Sequence, residues 1–511
     1  MAPSSSSPPP RGTPSRPACA GRRGRPGGIP LSTHQPAGCP RDGPSAIVDP
    51  LTQIAYGERN TLRHGISKAA TALVALALAG GAIVPAAAAP RPAVDGIWRV
   101  NGYGTVLSIA HGRLQEYQTT ALGCIKGEPA KQTAPGVYRS GDGTLLTVRV
   151  SGTLRLSGSA GYRELRRLGR LPAACAQPAA EDDPVATFDV FWQSFEENYP
   201  FFAAKGIDWH AVRDTYRPKV HADTSRDELF TLFSEMVKPL YDAHVTVFDG
   251  ERRFSQVRPG TAVIGSDLDT KVKDYIVRSD LDGEPLREFA NGRISYADLP
   301  GGQGYLRLSG FAGYSSEEGH AYAAELAELD KALDTVFTAE RTASLTGLVI
   351  DLRINGGGAD ALGLHLAGRL TDSSYTAYRK RTQYTRPQPV PVKPARGVPR
   401  YGGPVAVLTA ATTFSAGETF TQALIDRPGR TVRIGENTQG VFSDTLDRTL
   451  PGGMTVWLPN EEFLTRRGGT FDGAGIPPHI RTPVFTEEEF ATDHDSAFDA
   501  AVAVLREQKP A

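Results

Sequence analysis

Pro404-Val405-Ala406-Val407-Leu408-Thr409-Ala410-Ala411-Thr412-Thr413-Phe414-Ser415-Ala416-Gly417-Glu418 is the stretch whose reading decides the fold. Its first six residues are short and nearly all apolar, as in a buried strand. A polar turn follows, and then Phe420, Ala423 and Leu424 recur at i, i+3 and i+4, the spacing of an amphipathic helix. Ser415 sits at the turn where that helix opens. There its hydroxyl faces free backbone N–H groups and the positive end of the helix dipole. Both features suit a nucleophile whose attack creates an oxyanion. The same position also suits a plain helix cap, and this stretch alone leaves both readings open.

The neighbouring segments repeat the alternation of strand and helix. Upstream, Gly347-Leu348-Val349-Ile350-Asp351-Leu352 reads as a buried strand running into Arg353-Ile354-Asn355-Gly356-Gly357-Gly358, with a helix from Ala359 to Leu370. The glycines let the backbone approach a ligand closely and expose N–H groups. Neither Gly-x-x-x-x-Gly-Lys nor Gly-x-Gly-x-x-Gly with its acidic partner is present, so an oxyanion hole is a better reading than a phosphate cradle. A plain tight turn is the alternative. Gly304–Leu308, Thr431–Gly435 and Thr455–Leu458 read as further strands, and Ala321–Phe337 as a helix. Residues 251–300 are polar, with few long apolar runs.

Composition excludes several classes. The chain has 511 residues, with 56 Lys+Arg against 56 Asp+Glu, so no global field attracts nucleic acid or an anionic membrane. The four cysteines, Cys19, Cys39, Cys124 and Cys175, form no Cys-x-x-Cys pair and no close Cys/His cluster. No metal and no cofactor is expected.

Residues 1–62 are rich in Pro, Ser, Gly and Arg, too poor in apolar surface to offset chain entropy, and are expected to be disordered. Residues 63–89 have the layout of a secretory signal: basic residues, an apolar run from Ala69 to Val84, then Pro85-Ala86-Ala87-Ala88-Ala89. Cleavage after Ala88 fits better than cleavage after Ala89, which Pro90 follows. An N-terminal membrane anchor is the alternative. The segment lies far in for a signal, so a translation start near residue 60 is expected. Export makes the product secreted or extracytoplasmic, with no stable membrane insertion after cleavage.

Residues 94–176 carry short alternating runs and the hairpin signal Asp142-Gly143, and read as a small antiparallel sheet or barrel. Cys124 and Cys175 are the cysteines left after cleavage, and a disulfide between them fits an oxidising compartment; two free buried thiols is the alternative. Gln177–Pro184 is a linker by composition. Residues 185–250 are helical: Phe188, Phe191, Trp192, Phe195 and Tyr199 share one face, and Ser225 with Glu228 forms a capping-box pattern. The segment ends in Leu240-Tyr241-Asp242-Ala243-His244, where a helix passes into a strand. Alone, His244 reads as a structural histidine or as a base.

Four signatures occur in order: Leu-x-Asp-x-His at 240–244, Asp-Leu-Arg-x-Asn-x-Gly-Gly at 351–358, Ser-Ala-Gly-Glu at 415–418 and Gly-x-Gly-Ile-x-Pro at 473–478. The set resembles the S41 peptidases, which include the C-terminal-processing proteases, the tricorn core protease and retinoid-binding-protein-like repeats. The resemblance runs from about Phe188 to the C-terminus. It implies an α/β fold with a crotonase/ClpP-like core over residues 260–511, preceded by the helical segment and the separate small β domain. It also implies a serine-type endopeptidase or peptidase acting on peptides or proteins. The processing proteases pair their Ser with a Lys, but Val441 occupies that position here. The tricorn-like branch uses Ser, His and a late acid, which map onto Ser415, His244 and Asp472. Ala243 stands where that branch has Ser, and Asp472 is shorter than the usual Glu. The resemblance gives the oxyanion to the N–H groups of Gly357 and Ala416, with Gly358 beside them. Residues 251–300 are too few for the PDZ domain of the processing proteases. His320, Glu436 and Glu462 belong to no motif and are expected to be surface or structural. A non-catalytic extracellular binding protein on this scaffold, and a serine hydrolase of other esters or amides, are the rival readings.

Overall fold

The structure, a computed structural model, describes residues 94–176, 183–316 and 321–507. The expected disordered segment, the signal and most of the linker lie outside the described residues, as does His320.

The small β domain is a closed eight-stranded barrel in simple up-and-down order. Its strands are β1 (Gly96–Val100), β2 (Thr105–Ala110), β3 (Arg113–Thr119), β4 (Cys124–Ala134), β5 (Val137–Arg139), β6 (Leu145–Arg149), β7 (Thr153–Leu156) and β8 (Arg163–Leu168). Antiparallel pairing of β1 with β8 closes it and leaves no free edge. Alternate residues, among them Leu107, Ile109, Leu146, Val148 and Leu154, are buried, so side chains fill the interior. Ala110 pairs with Arg113 across a two-residue turn, His111-Gly112, with positive φ at both positions (51° and 71°). Asp142-Gly143 turns between β5 and β6, with Asp142 accepting the N–H of Thr144 at 3.1 Å. Cys124 and Cys175 are bonded, tying the start of β4 to the helical turn after β8.

Helices bring the chain from the barrel to the core, and two of them carry its aromatic face. In α1 (Pro184–Asn198), Asp183 caps the N–H groups of Val185 and Ala186, and Pro184 occupies the first position, where no N–H is needed. In α2 (Arg226–Val237), Ser225 and Glu228 form the reciprocal capping box. Phe191 of α1 stacks on Phe233 of α2 with centroids 4.0 Å apart. Beyond α2, a 3-10 turn and Tyr241 in left-handed conformation (φ 45°) reverse the chain. His244 follows, separated by Val245 from the strand Thr246–Asp249.

The core is a seven-stranded sheet of β9 (Arg287–Phe289), β10 (Ile294–Leu299), β11 (Gln303–Leu308), β12 (Gly347–Asp351), β13 (Val405–Thr409), β14 (Thr431–Gly435) and β15 (Ile480–Arg481), side by side in that order. β11 to β15 are parallel, and β9 and β10 extend the sheet antiparallel. Every residue of β12 and β13 is buried, because both faces are covered. Ile350 and Val407 pack with α3 (Asp360–Arg369) and α4 (Ala416–Ala423). Val349 and Leu408 pack on the opposite side with α5 (Ser496–Arg506). The polar stretch 251–300 holds more structure than its composition suggests. A helix spans Ser266–Ser279, and its Val272, Tyr275 and Ile276 are buried in the second of these layers. Among the described residues no helix is long and apolar enough to cross a membrane.

Candidate active site

Two adjacent parallel strands, β12 and β13, end in loops that are laced together at the carboxyl edge of the sheet. Thr413 Oγ1 donates to the carbonyl of Leu352 at 2.9 Å, and the N–H of Phe414 donates to the carbonyl of Asn355, also at 2.9 Å. These bonds fix the Ser415 turn against the glycine loop. A Cβ on Gly357 would lie 2.6 Å from the Cβ of Ser415, so only glycine allows the approach. Ser415 itself has φ 53° and ψ −119°, a conformation that costs a non-glycine residue of order 1–3 kcal/mol. Such strain persists only where surrounding bonds over-determine it. Here Glu418, one turn into α4, reaches back to the Ser415 N–H at 3.2 Å.

The Ser415 hydroxyl lies 3.0 Å from His244 Nε2. His244 is 8% exposed and packs edge-on to Phe414, ring centroids 5.0 Å apart. Burial lowers its pKa below the ordinary 6.5, and the nearby carboxylates of Asp242 and Asp444 offset this only in part. A neutral imidazole beside a hydroxyl is the arrangement a general base requires.

The expected oxyanion donors divide. The N–H of Gly357 is already bonded to Asn355 Oδ1 at 3.0 Å, because that buried amide folds back over its own loop and also donates to the carbonyl of Leu308 at 2.9 Å. Gly357 is therefore a packing position beside Ser415 rather than a free donor. Gly358 (φ 129°) and Ala416, the first residue of α4, make no N–H bond among the described residues. A first-turn N–H has no partner within its helix.

Asp472 is not hydrogen-bonded to His244. One of its oxygens accepts the Phe442 N–H at 3.3 Å; the other is buried without a partner, and so is His244 Nδ1. Burial, and then the Asp242 carboxylate, push Asp472 well above the usual carboxylate range, against the pull of Lys205. Asp242 accepts the backbone N–H of His244 at 3.1 Å and the hydroxyl of Tyr199 at 2.8 Å, and Lys205 Nζ stands 3.9 Å away. The aspartate of Leu-x-Asp-x-His thus shapes the histidine turn, a role its place in the motif signals. Asp444 near His244 belongs to no motif and was not foreseen.

Val441 is buried against Ala243 and Phe414, so the position held by Lys in processing proteases is an apolar wall here. Glu462 pairs with Arg381 at 2.6 Å. Among the described residues no group of three or more His, Cys, Asp or Glu could hold a metal ion.

Residues 302–482 match the model of peptidase family S41, and residues 181–238 match that of the tricorn protease C1 domain. Among solved structures, a candidate peptidase from Parabacteroides merdae is 23% identical, over 63% of this chain and 96% of its own, with a TM-score of 0.52. The photosystem II D1 C-terminal processing protease is 18% identical over 59% and 93% (TM-score 0.39), and mature CPAF 14% identical over 64% and 98% (TM-score 0.47). The S41 model spans the sheet from β11 to β15 and the tricorn segment lies ahead of it, and these matches support an S41 family peptidase.

Proposed function

We propose that the chain is a secreted serine-type peptidase in which Ser415 is the nucleophile and His244 the general base. The observation that carries this reading is the 3.0 Å contact between His244 Nε2 and the hydroxyl of Ser415, itself held in a strained turn at a helix start. Ser415 Oγ attacks the peptide carbonyl as its proton passes to His244 Nε2. The imidazolium then protonates the leaving amine, and water repeats the sequence to release the acyl group. The N–H groups of Gly358 and Ala416 bind the oxyanion, and loss of one such donor raises the barrier by about 3 kcal/mol. Asp472 is the orienting acid. Its unpartnered oxygen and the unpartnered Nδ1, both out of solvent, are the two ends of a contact that tightens as substrate binds.

The substrate is a peptide or protein. Residues 63–89 direct export, 94–176 form the small β domain, 185–250 the segment delivering His244, and 260–511 the peptidase core. N-terminal sequencing of exported protein is expected to start at Ala89; retention of residues 63–88 would remove the secretory part of the reading.

Fluorophosphonate labelling tests the chemistry. The parent is expected to label at Ser415, and Ser415→Ala and His244→Ala to lose labelling and hydrolysis of a peptide library. A folded parent that neither labels nor cleaves would instead favour a binding protein on this scaffold. Labelling with hydrolysis confined to non-peptide esters would favour the wider hydrolase class.

A further inference from the structure

The loop 438–441 lies between the Ser415 turn and the Asp472 turn and is bonded to both. Gln439 donates its N–H to the carbonyl of Thr413, two residues before Ser415, at 3.0 Å. The next two N–H groups, of Gly440 and Val441, go to Glu418, which also accepts the Ser415 N–H. On the other side, the Gly440 carbonyl accepts the N–H of Gly473, next to Asp472, at 2.7 Å. Thr438 Oγ1 accepts the N–H of Ile476, also at 2.7 Å. The loop therefore joins the serine turn to the turn of the late acid.

His244 arrives on a different piece of chain. The strand that follows it, Thr246–Asp249, turns back antiparallel into the strand Arg252–Ser255, with Ser255 opposite Thr246. The chain leaves this hairpin as a strap over residues 256–262. Val257 packs on Ala243, Phe414 and Val441, the apolar residues that flank His244 and Ser415. Arg258 comes next. Its Nε donates to the Gln439 carbonyl and its Nη2 to the Thr438 carbonyl, both at 3.0 Å. Gln439 Nε2 in turn donates to the Ala262 carbonyl at 3.0 Å. Between these points Pro259-Gly260 reverses the strap, with Gly260 at φ 78° and the Thr261 N–H donating to the Arg258 carbonyl at 3.0 Å. One planar, charged group thus spans two successive carbonyls of the loop, a geometry that the single nitrogen of a lysine cannot copy.

We propose that Arg258 is a positioning residue: it clamps the hairpin of His244 to the loop 438–441 and so fixes the spacing of His244 and Ser415. The inference rests on the serine-peptidase reading above. Arg258 touches neither reacting residue. It acts through the loop, whose far side holds Glu418 and Gly473, so releasing the clamp loosens the Ser415 turn relative to His244.

The test uses the full chain, with the rate of fluorophosphonate labelling at Ser415 and steady-state cleavage of a peptide as readouts. Arg258→Ala is expected to label roughly 10-fold or more slowly and to lose kcat in the same proportion, with little change in KM. Guanidinium ion, added well below its denaturing range, is expected to restore part of both rates in Arg258→Ala and not to raise those of the parent. Guanidinium weakens folded chains, so such a gain cannot come from stability. Arg258→Lys is expected to fall between the parent and Arg258→Ala. A parent that labels at Ser415, with both variants matching its rates, overturns the clamp and leaves the serine mechanism intact. Slow labelling in Arg258→Ala that guanidinium does not restore marks a purely structural role and also overturns it. If Arg258→Ala fails to fold, parent rates in Arg258→Lys overturn the inference. A parent that does not label at Ser415 overturns the serine reading and this inference with it.

Discussion

The carboxylate of Glu418 ties Ser415 to a second loop. It accepts the Ser415 N–H at 3.2 Å and, through the same two oxygens, the N–H groups of Gly440 at 2.6 Å and Val441 at 2.8 Å. The Ser415 turn and the wall beside His244 are therefore positioned by one side chain with no exposed surface. Burial raises its pKa to about 8, against bonds from Thr438, Val441, Gly440 and Ser415 that favour the charged form.

That shift fixes the sign of a stability effect. A carboxyl whose folded pKa lies above its unfolded value binds more protons when folded, so its contribution is complete below the unfolded pKa. The contribution declines as pH rises and is gone above about 8. The decline is at most about 1.4 kcal/mol per pH unit. Urea midpoints between pH 5 and 9 are expected to fall for the parent and to slope less for Glu418→Gln, whose side chain cannot ionise.

Replacing Ser415, the proposed nucleophile, by glycine separates chemistry from strain. Glycine adopts φ 53°, ψ −119° readily, so Ser415→Gly is expected to raise unfolding stability by about 1 kcal/mol while abolishing hydrolysis. Ser415→Ala removes the hydroxyl but keeps the strain, and is expected to be inactive without that gain. Denaturant unfolding of the two variants side by side checks this.

The Gly357 position is expected to be intolerant for a geometric reason. Its φ of 83° and the 2.6 Å approach to the Ser415 Cβ mean that Gly357→Ala must push Ser415 away from His244. Since its N–H is already bonded to Asn355, the loss comes from misplacement rather than from a deleted donor. The expected fall in kcat is roughly 100-fold, the scale of a misplaced reacting group. Steady-state kinetics, with the 3.0 Å Ser–His contact checked in a structure of the variant, test it.

The sequence made some of this legible and hid the rest. The strand–turn–helix around Ser415, the Ser225–Glu228 box and the Asp142-Gly143 turn depend on residues close in the chain, whose periodicity and turn chemistry report them directly. The division of the glycine loop was hidden because it turns on a side chain: Asn355 competes for the Gly357 N–H, and no spacing rule reveals that competition. Asp444 was hidden because Lys380 reaches it from 64 positions earlier in the chain. The helix Ser266–Ser279 was missed because Val272, Tyr275 and Ile276 make a narrow apolar face in a polar context.

On the proposed mechanism, the buried His244 sets the acidic end of the working range. Burial lowers the His244 pKa below 6.5, and Asp242 and Asp444 restore only part of it, so the unprotonated base persists into mildly acidic solution. The acid limb of kcat/KM is therefore expected below pH 6.5, and hydrolysis at pH 6.5 should retain more than half of its plateau. The stability consequence has the matching sign. A histidine whose folded pKa lies below its unfolded value binds fewer protons when folded, so its contribution is present above the unfolded pKa and is lost as pH falls through the folded one. Replacing His244 by Gln keeps a polar ring-sized group without the titration. It should remove hydrolysis and flatten that part of the stability profile, read from urea midpoints between pH 7 and pH 4.5. An acid limb above pH 7 in the parent would mean that His244 is not the base, or that a carboxylate outweighs its burial.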